Sequence, residues 1–248
     1  KLLQPTKQQS EFLIDKSKIS FNVLDLTEGE VLLIFPNGNT ATRFYRPGEK
    51  SNTILLTERC DQRCTMCSQP PKSNDFTYWE LYSKACCQMP DNQTVGISGG
   101  EPTLYKKDLF KFLEQMKADR PDLRFHVLTN AQHFEEADKG VLKRLNEYVV
   151  WGVPLYANQT DIHDQIVGKS GAFEKLFTSF SVLLESEARV ELRTVLLKQN
   201  LHVLPFLAKE VAKHFQWIER PWRVGTDAED FQKSSCPNRL KGTSWCRV

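Results

Sequence analysis

Apolar positions in this chain recur with two periods that succeed one another in a regular order. Near the start, the stretch EVLLIFPNGNTATRFY reads as two apolar-rich strands around Asn37-Gly38, a dipeptide suited to the positive φ angles of a tight hairpin. From residue 53 onward, five short strand-like runs appear: TILLTE (53–58), TVGISG (94–99), LRFHVLT (123–129), EYVVWGVPLY (147–156) and RVELRTVLL (189–197). Between them apolar residues fall at i, i+3, i+4 and i+7, as in Leu109, Phe112, Leu113 and Met116, in Phe173, Leu176, Phe177 and Phe180, and in Leu204, Leu207, Ala208 and Val211. Each such helix has one face to bury.

Strands alternating with helices imply right-handed βαβ crossovers, hence an α/β fold with a parallel sheet covered by helices. Periodicity leaves a barrel and a doubly wound sheet equally open. In both, sites form at the C-terminal ends of the strands. A sixth strand is expected to begin in WIERPWRV (217–224), and beyond it the pattern fails. The expected organisation is an N-terminal β element (1–50), a main α/β body (51–224) and an irregular tail (225–248).

Composition narrows the class without naming a function. Apolar residues make up 40% and charged residues 26%, with 33 basic against 31 acidic side chains, a balance that supports neither disorder nor a nucleic-acid partner. No apolar run approaches the roughly eighteen residues of a membrane span, and the opening KLLQPTKQQSEF lacks the apolar core of a secretory signal. The expectation is therefore a cytoplasmic protein with no membrane partner. In a reducing compartment, an odd number of cysteines, seven, with one dense cluster points to metal or redox chemistry.

That cluster is CDQRCTMC, with Cys60, Cys64 and Cys67 directly after the first strand of the series. Three readings compete. The offsets 0, 4 and 7 also describe one face of a helix, and buried cysteine behaves as a small hydrophobe; yet Asp61, Gln62, Arg63 and Thr65 surround them. A structural zinc site needs a fourth ligand, to be recruited from Cys86, Cys87 or His126. An iron-sulfur cubane held by three cysteines leaves one iron open, as catalytic metal sites leave a position for substrate.

SGGEP (98–102) follows the second strand, on the same expected rim. Together, CDQRCTMC and SGGEP resemble the CxxxCxxC and GGE motifs of radical S-adenosylmethionine (SAM) enzymes. The resemblance implies a partial (β/α)6 barrel, a 4Fe-4S cluster on Cys60, Cys64 and Cys67, and S-adenosyl-L-methionine bound at the open iron. It further implies reductive cleavage of SAM to a 5'-deoxyadenosyl radical, fed by an electron donor of flavodoxin or ferredoxin type. Gly99 and Gly100 are expected to let backbone approach the methionine moiety, with Glu101 meeting its ammonium. Met66 is expected either to pack near the cofactor or to serve as plain core.

The stretches 55–71, 97–104, 127–134 and 151–174 bring a closer resemblance, to the His-Xaa-Ser system radical SAM maturases of the HxsC type, covering about residues 30–215. That family is thought to modify a small ribosomally made precursor peptide alongside a second radical SAM maturase. Relative to it, the C-terminal end of this chain reads as truncated or diverged.

Other polar residues fall on the same rim. Asn130 ends the third strand beside Thr129 and faces either the nucleoside end of the cofactor or only its own turn. Tyr156 and Asn158 are candidates for adenosine or peptide contact, whereas Asp161, His163 and Asp164 read as caps for the next loop or helix. Glu191 and Arg193 share one side of the fifth strand, and the safer expectation is a solvated salt bridge. Cys86 and Cys87 read as packing. Cys236 and Cys246, in the tail, are weak candidates for an auxiliary cluster.

Overall fold

The computed structural model describes residues 2–3, 27–34, 41–49, 52–68, 70–73, 77–214 and 223–224. The tail 225–248, with Cys236 and Cys246, and the Asn37-Gly38 turn lie outside the described residues.

The N-terminal hairpin forms from β2 (Val31–Ile34) and β3 (Ala41–Tyr45), paired antiparallel as the pattern predicts. A third strand, β1 (Leu2–Leu3), pairs antiparallel with β2; two residues carry no period by which it could have been read. Val31, Phe44 and Tyr45 are buried in the same core as the main body, with the Phe44 ring 6.4 Å from that of Tyr82. The polar side of the hairpin turns on Glu30, which is fully buried and accepts from Arg43 Nε at 2.9 Å and Arg46 Nε at 2.6 Å. Two guanidinium partners are what make a buried carboxylate tolerable.

The main sheet is parallel throughout and keeps chain order: β4 (Asn52–Thr57), β5 (Thr94–Gly99), β6 (Arg124–Leu128), β7 (Val149–Pro154), β8 (Arg189–Thr194) and β9 (Arg223–Val224). An unbroken order has no topological switch point, so the sheet winds one way, as a barrel does, and not both ways from its centre. The fold is an α/β partial barrel of six strands. The expected sixth strand is present as two residues, Arg223 and Val224, paired parallel with β8.

Helices α1 (Trp79–Gln88), α2 (Lys106–Asp119), α3 (Lys139–Leu145), α4 (Thr160–Val167), α5 (Ala172–Glu185) and α6 (Leu204–His214) return the chain between strands. Among the described residues, none is long and apolar enough to cross a membrane. The stripe read on α2 is buried in full, whereas on α5 Phe177 is exposed and Ser179, Val182 and Leu183 are buried in the face that packs. On α6 only Leu207 is fully buried; Leu204, Ala208 and Val211 are half-covered and pack against the main core. Between β7 and β8 there are two helices, not one, and the corner between them reaches back to the cysteine segment.

Candidate functional site

Cys60, Cys64 and Cys67 lie in an irregular loop that leaves β4 and precedes α1, and not on a helix. That disfavours the alternative of a helical core stripe: Cys60 and Cys64 are half-buried and Cys67 is exposed. Burial pushes the Cys60 thiol up to about 11 and the Cys64 thiol up to about 12. Burial thus favours the neutral thiols, and a metal bound there would displace their protons.

The second motif is laced to the first through backbone. Gly100 N donates to Thr57 O at 2.7 Å and Glu101 N to Arg59 O at 2.7 Å, one residue before Cys60. This close approach explains the glycines. A Cβ on Gly99 would lie 2.3 Å from Thr57 O and one on Gly100 2.0 Å from Arg59 O, and Gly99 has φ +149°, open to few other residues. The expected reason was room for a ligand; the geometry adds a stronger one, room for the strand end that carries the cysteines.

Glu101 is likewise placed for a structural task that spacing does not reveal. Its side chain is buried, and its carboxylate accepts from Thr103 N (2.8 Å), Thr103 Oγ1 (2.5 Å), Thr129 Oγ1 (2.6 Å) and Asn130 N (2.6 Å). Burial pushes this carboxyl up, against four hydrogen bonds that favour its ionised form. Glu101 thus ties the end of β5 to the end of β6. Asn130 extends the tie, donating from Nδ2 to Asp61 Oδ1 at 2.8 Å, inside the cysteine motif.

These residues meet in one cavity of about 210 Å³ at the C-terminal ends of the strands, walled by Cys60, Cys64, Cys67, Gly99–Glu101, Thr129, Asn130, Tyr156 and Arg193 among others. Gly152 keeps its floor open, since a Cβ there would stand 2.6 Å from Leu128 Cδ2 and 3.0 Å from His126 Nε2. Met66 is not in the lining; it is buried below the loop with Ile166, Val167 and Leu197. Asn158 also lies outside the lining. Cys86 is buried in the main core, as expected of a packing residue, but Cys87 is exposed on the outer face of α1.

Strand β8 corrects a further expectation. Glu191 is 1% exposed and Arg193 reaches the cavity, with Arg193 Nε and His126 Nε2 each 3.6 Å from Glu191 Oε1. The pair faces the barrel interior and is no solvated salt bridge. Covered on both faces, a parallel strand hides from its alternation which side is inward.

His163 is internal to α4 and caps nothing, whereas Asp164 caps the helix that follows, as expected, by accepting from Gly171 N (2.6 Å) and Phe173 N (2.8 Å) at the start of α5. His163 Nδ1 accepts from Tyr156 N at 3.4 Å, between the Tyr156 and Phe173 rings, and burial holds it down at about 4. Folded His163 therefore binds its proton less readily than unfolded His163. Stability should be intact above pH 6.5 and fall by about 3 kcal/mol by pH 4 on this account alone. Urea melts of wild type and His163→Gln across that window test this: the variant should lose that part of the slope, and parallel curves would assign the acid sensitivity elsewhere.

The donor set is sulfur only, three thiols around one cavity. Among the described residues, no three His, Cys, Asp or Glu side chains converge on a single ion position. Three thiols at one cavity are the donor type that iron-sulfur clusters take. Residues 54–210 match the Radical SAM superfamily. The chain belongs to that superfamily. Among curated proteins, it is 27% identical over 157 residues to GTP 3',8-cyclase of Campylobacter curvus (58% of this chain, 46% of that protein). It is 22% identical over 203 residues to the antilisterial bacteriocin subtilosin biosynthesis protein AlbA of Bacillus subtilis (73% and 44%). Among solved structures, Streptococcus suis SuiB bound to S-adenosylmethionine superposes with a TM-score of 0.60 at 17% identity (77% of this chain, 43% of that one). SuiB bound to its precursor peptide SuiA gives 0.54 at 16% (65% and 36%). At these identities the structures establish the radical SAM fold alone, and the chain spans less than half the length of the curated relatives it matches.

Proposed function

We propose that this chain is a radical SAM enzyme that modifies a small ribosomally made precursor peptide, a reading carried by one observation: the three cysteines, the GGE segment and Asn130 share a single cavity. A 4Fe-4S cluster on Cys60, Cys64 and Cys67 with S-adenosylmethionine beside it would supply reductive SAM cleavage and hydrogen-atom abstraction from the substrate. The chain's own residues hold and orient. The cysteines give up protons to ligate, Gly99 and Gly100 bring the β5 end against the cysteine strand, and Glu101 ties that end to β6. Arg193, backed by buried Glu191, sets a positive charge in the wall, suited to a carboxylate of cofactor or substrate. Tyr156 adds an aromatic face.

The peptide substrate is supported by extent of likeness. The AlbA alignment spans 73% of this chain, against 58% for the Campylobacter curvus cyclase. A His-Xaa-Ser type precursor, a second radical SAM maturase and a flavodoxin or ferredoxin type electron donor complete the proposed system. Mass spectrometry of a His-Xaa-Ser repeat peptide, incubated anaerobically with reconstituted protein, reductant and SAM, tests the substrate class. A mass change that needs SAM is expected; an unmodified peptide alongside GTP conversion would favour a nucleotide substrate.

A further inference from the structure

The loop that carries the cysteines has no regular secondary structure from Arg59 to Cys67, so its backbone groups must find partners elsewhere. Two of its amides, those of Arg63 and Thr65, find them at the C-terminal end of α4, whose last carbonyls have no partner within the helix. Arg63 N donates to Val167 O at 2.9 Å, and Thr65 N and Oγ1 donate to Ile166 O at 2.8 and 3.2 Å. Gly168, at φ +65°, lies so close that a Cβ there would be 2.6 Å from Arg63 O. One residue on, Lys169 Nζ pairs with Asp61, a contact across 108 residues of chain.

The corner is itself braced. Asp164 O accepts from Lys169 N at 3.1 Å, and the Asp164 carboxylate holds Gly171 N and Phe173 N. On the other side, Asp61 receives Asn130 Nδ2, with His133 Nε2 3.2 Å away but off the hydrogen-bond line. Both members of the ion pair are about three-quarters covered, Lys169 at 24% and Asp61 at 23% exposure, so solvent screens it less than a surface pair.

We propose that the α4–α5 corner is the seat of the cysteine loop and that Asp61 and Lys169 are positioning residues, a latch that holds the loop in the geometry needed to retain a cluster. This rests on the reading that Cys60, Cys64 and Cys67 bind that cluster, and it makes Ile166–Lys169 part of the site although none of them lines the cavity. The latch also balances charge. Without Lys169, the carboxylate beside Cys60 keeps only Asn130 Nδ2 and the nearby His133 ring, and its negative charge opposes reduction of the cluster more strongly; without the carboxylate, Lys169 favours it.

The test compares wild type with Lys169→Met, Asp61→Asn and Lys169→Arg. In the metal-free protein, amide exchange at residues 60–67 should speed up in the Met and Asn variants and stay near wild type in Lys169→Arg, with thermal melts confirming that all four are folded. After anaerobic reconstitution, loss of iron to a chelator should be about tenfold faster in the Met and Asn variants. The cluster potential should fall in Lys169→Met and rise in Asp61→Asn, a difference of sign that simple loosening would not produce. Wild-type rates and exchange in all variants would overturn the latch, as would potential shifts of one sign. A wild-type protein that takes up no iron would instead overturn the cluster reading, while the exchange measurements would still report on the seat.

Discussion

Gly100→Ala should remove cluster retention and SAM cleavage together while leaving every proposed ligand in place. The new methyl carbon would sit 2.0 Å from Arg59 O and 3.0 Å from Cys60 N, and both obstacles are backbone. Neither strand can yield cheaply, since Gly100 N and Glu101 N are bonded to Thr57 O and Arg59 O. Relief requires the β5 end to lift off the strand that leads into the cysteines. Overpacking of this severity lies at or above the upper end of its usual range, roughly 3 kcal/mol or more. Gly140→Ala is the control with the opposite sign. It lies within α3, with only Arg144 Nη1 near, at 3.6 Å from the added Cβ, and alanine should stabilise that helix by about 0.5–1 kcal/mol. Urea melts and iron content of both variants check this; a Gly100→Ala protein with wild-type stability and full iron would refute the packing argument.

The second large effect is expected from the cysteines, and it separates them from the others in the chain. Cys60→Ala, Cys64→Ala or Cys67→Ala should each leave a folded protein, because all three side chains sit in a loop at the cavity and none belongs to the main hydrophobic core. Each should nonetheless lose the cluster, since a cubane already one protein ligand short would be left with two. Cys86→Ala should do the reverse. Cys86 is fully buried in the main core, so its loss opens a small cavity and lowers stability without touching iron content. Parallel measurement of iron per chain and melting midpoint distinguishes the two classes. Iron retained by Cys64→Ala would place the cluster elsewhere.

The range of each interaction decided whether the sequence disclosed it or hid it. The strands β4 to β8 and the packing stripe of α2 were legible because apolar periodicity is local. The two motifs were legible as a pair because β4 and β5 are parallel neighbours, which brings the residues after each strand onto one rim. The work of Glu101 was hidden, since two of its four donors come from Thr129 and Asn130, 28 and 29 residues away in another strand end. So was the latch, whose halves are 108 residues apart. Asp61 and Lys169 in isolation look like any surface charges, and the close approach of Gly168 to Arg63 that seats the loop has no local signature. The inward turn of Glu191 and Arg193 was hidden for a different reason, because both faces of β8 carry buried positions.

The proposed function requires that the cavity joining the cysteine loop to the GGE segment carry out reductive cleavage of S-adenosylmethionine. Its most direct test is 5'-deoxyadenosine formation by the anaerobically reconstituted chain with dithionite and SAM, beside a variant in which Cys60, Cys64 and Cys67 are all alanine. About four irons per chain and 5'-deoxyadenosine are expected from the wild type, with neither in the variant. A wild-type protein carrying a full cluster that leaves SAM intact, or a variant that still cleaves it, would contradict this role for the cavity.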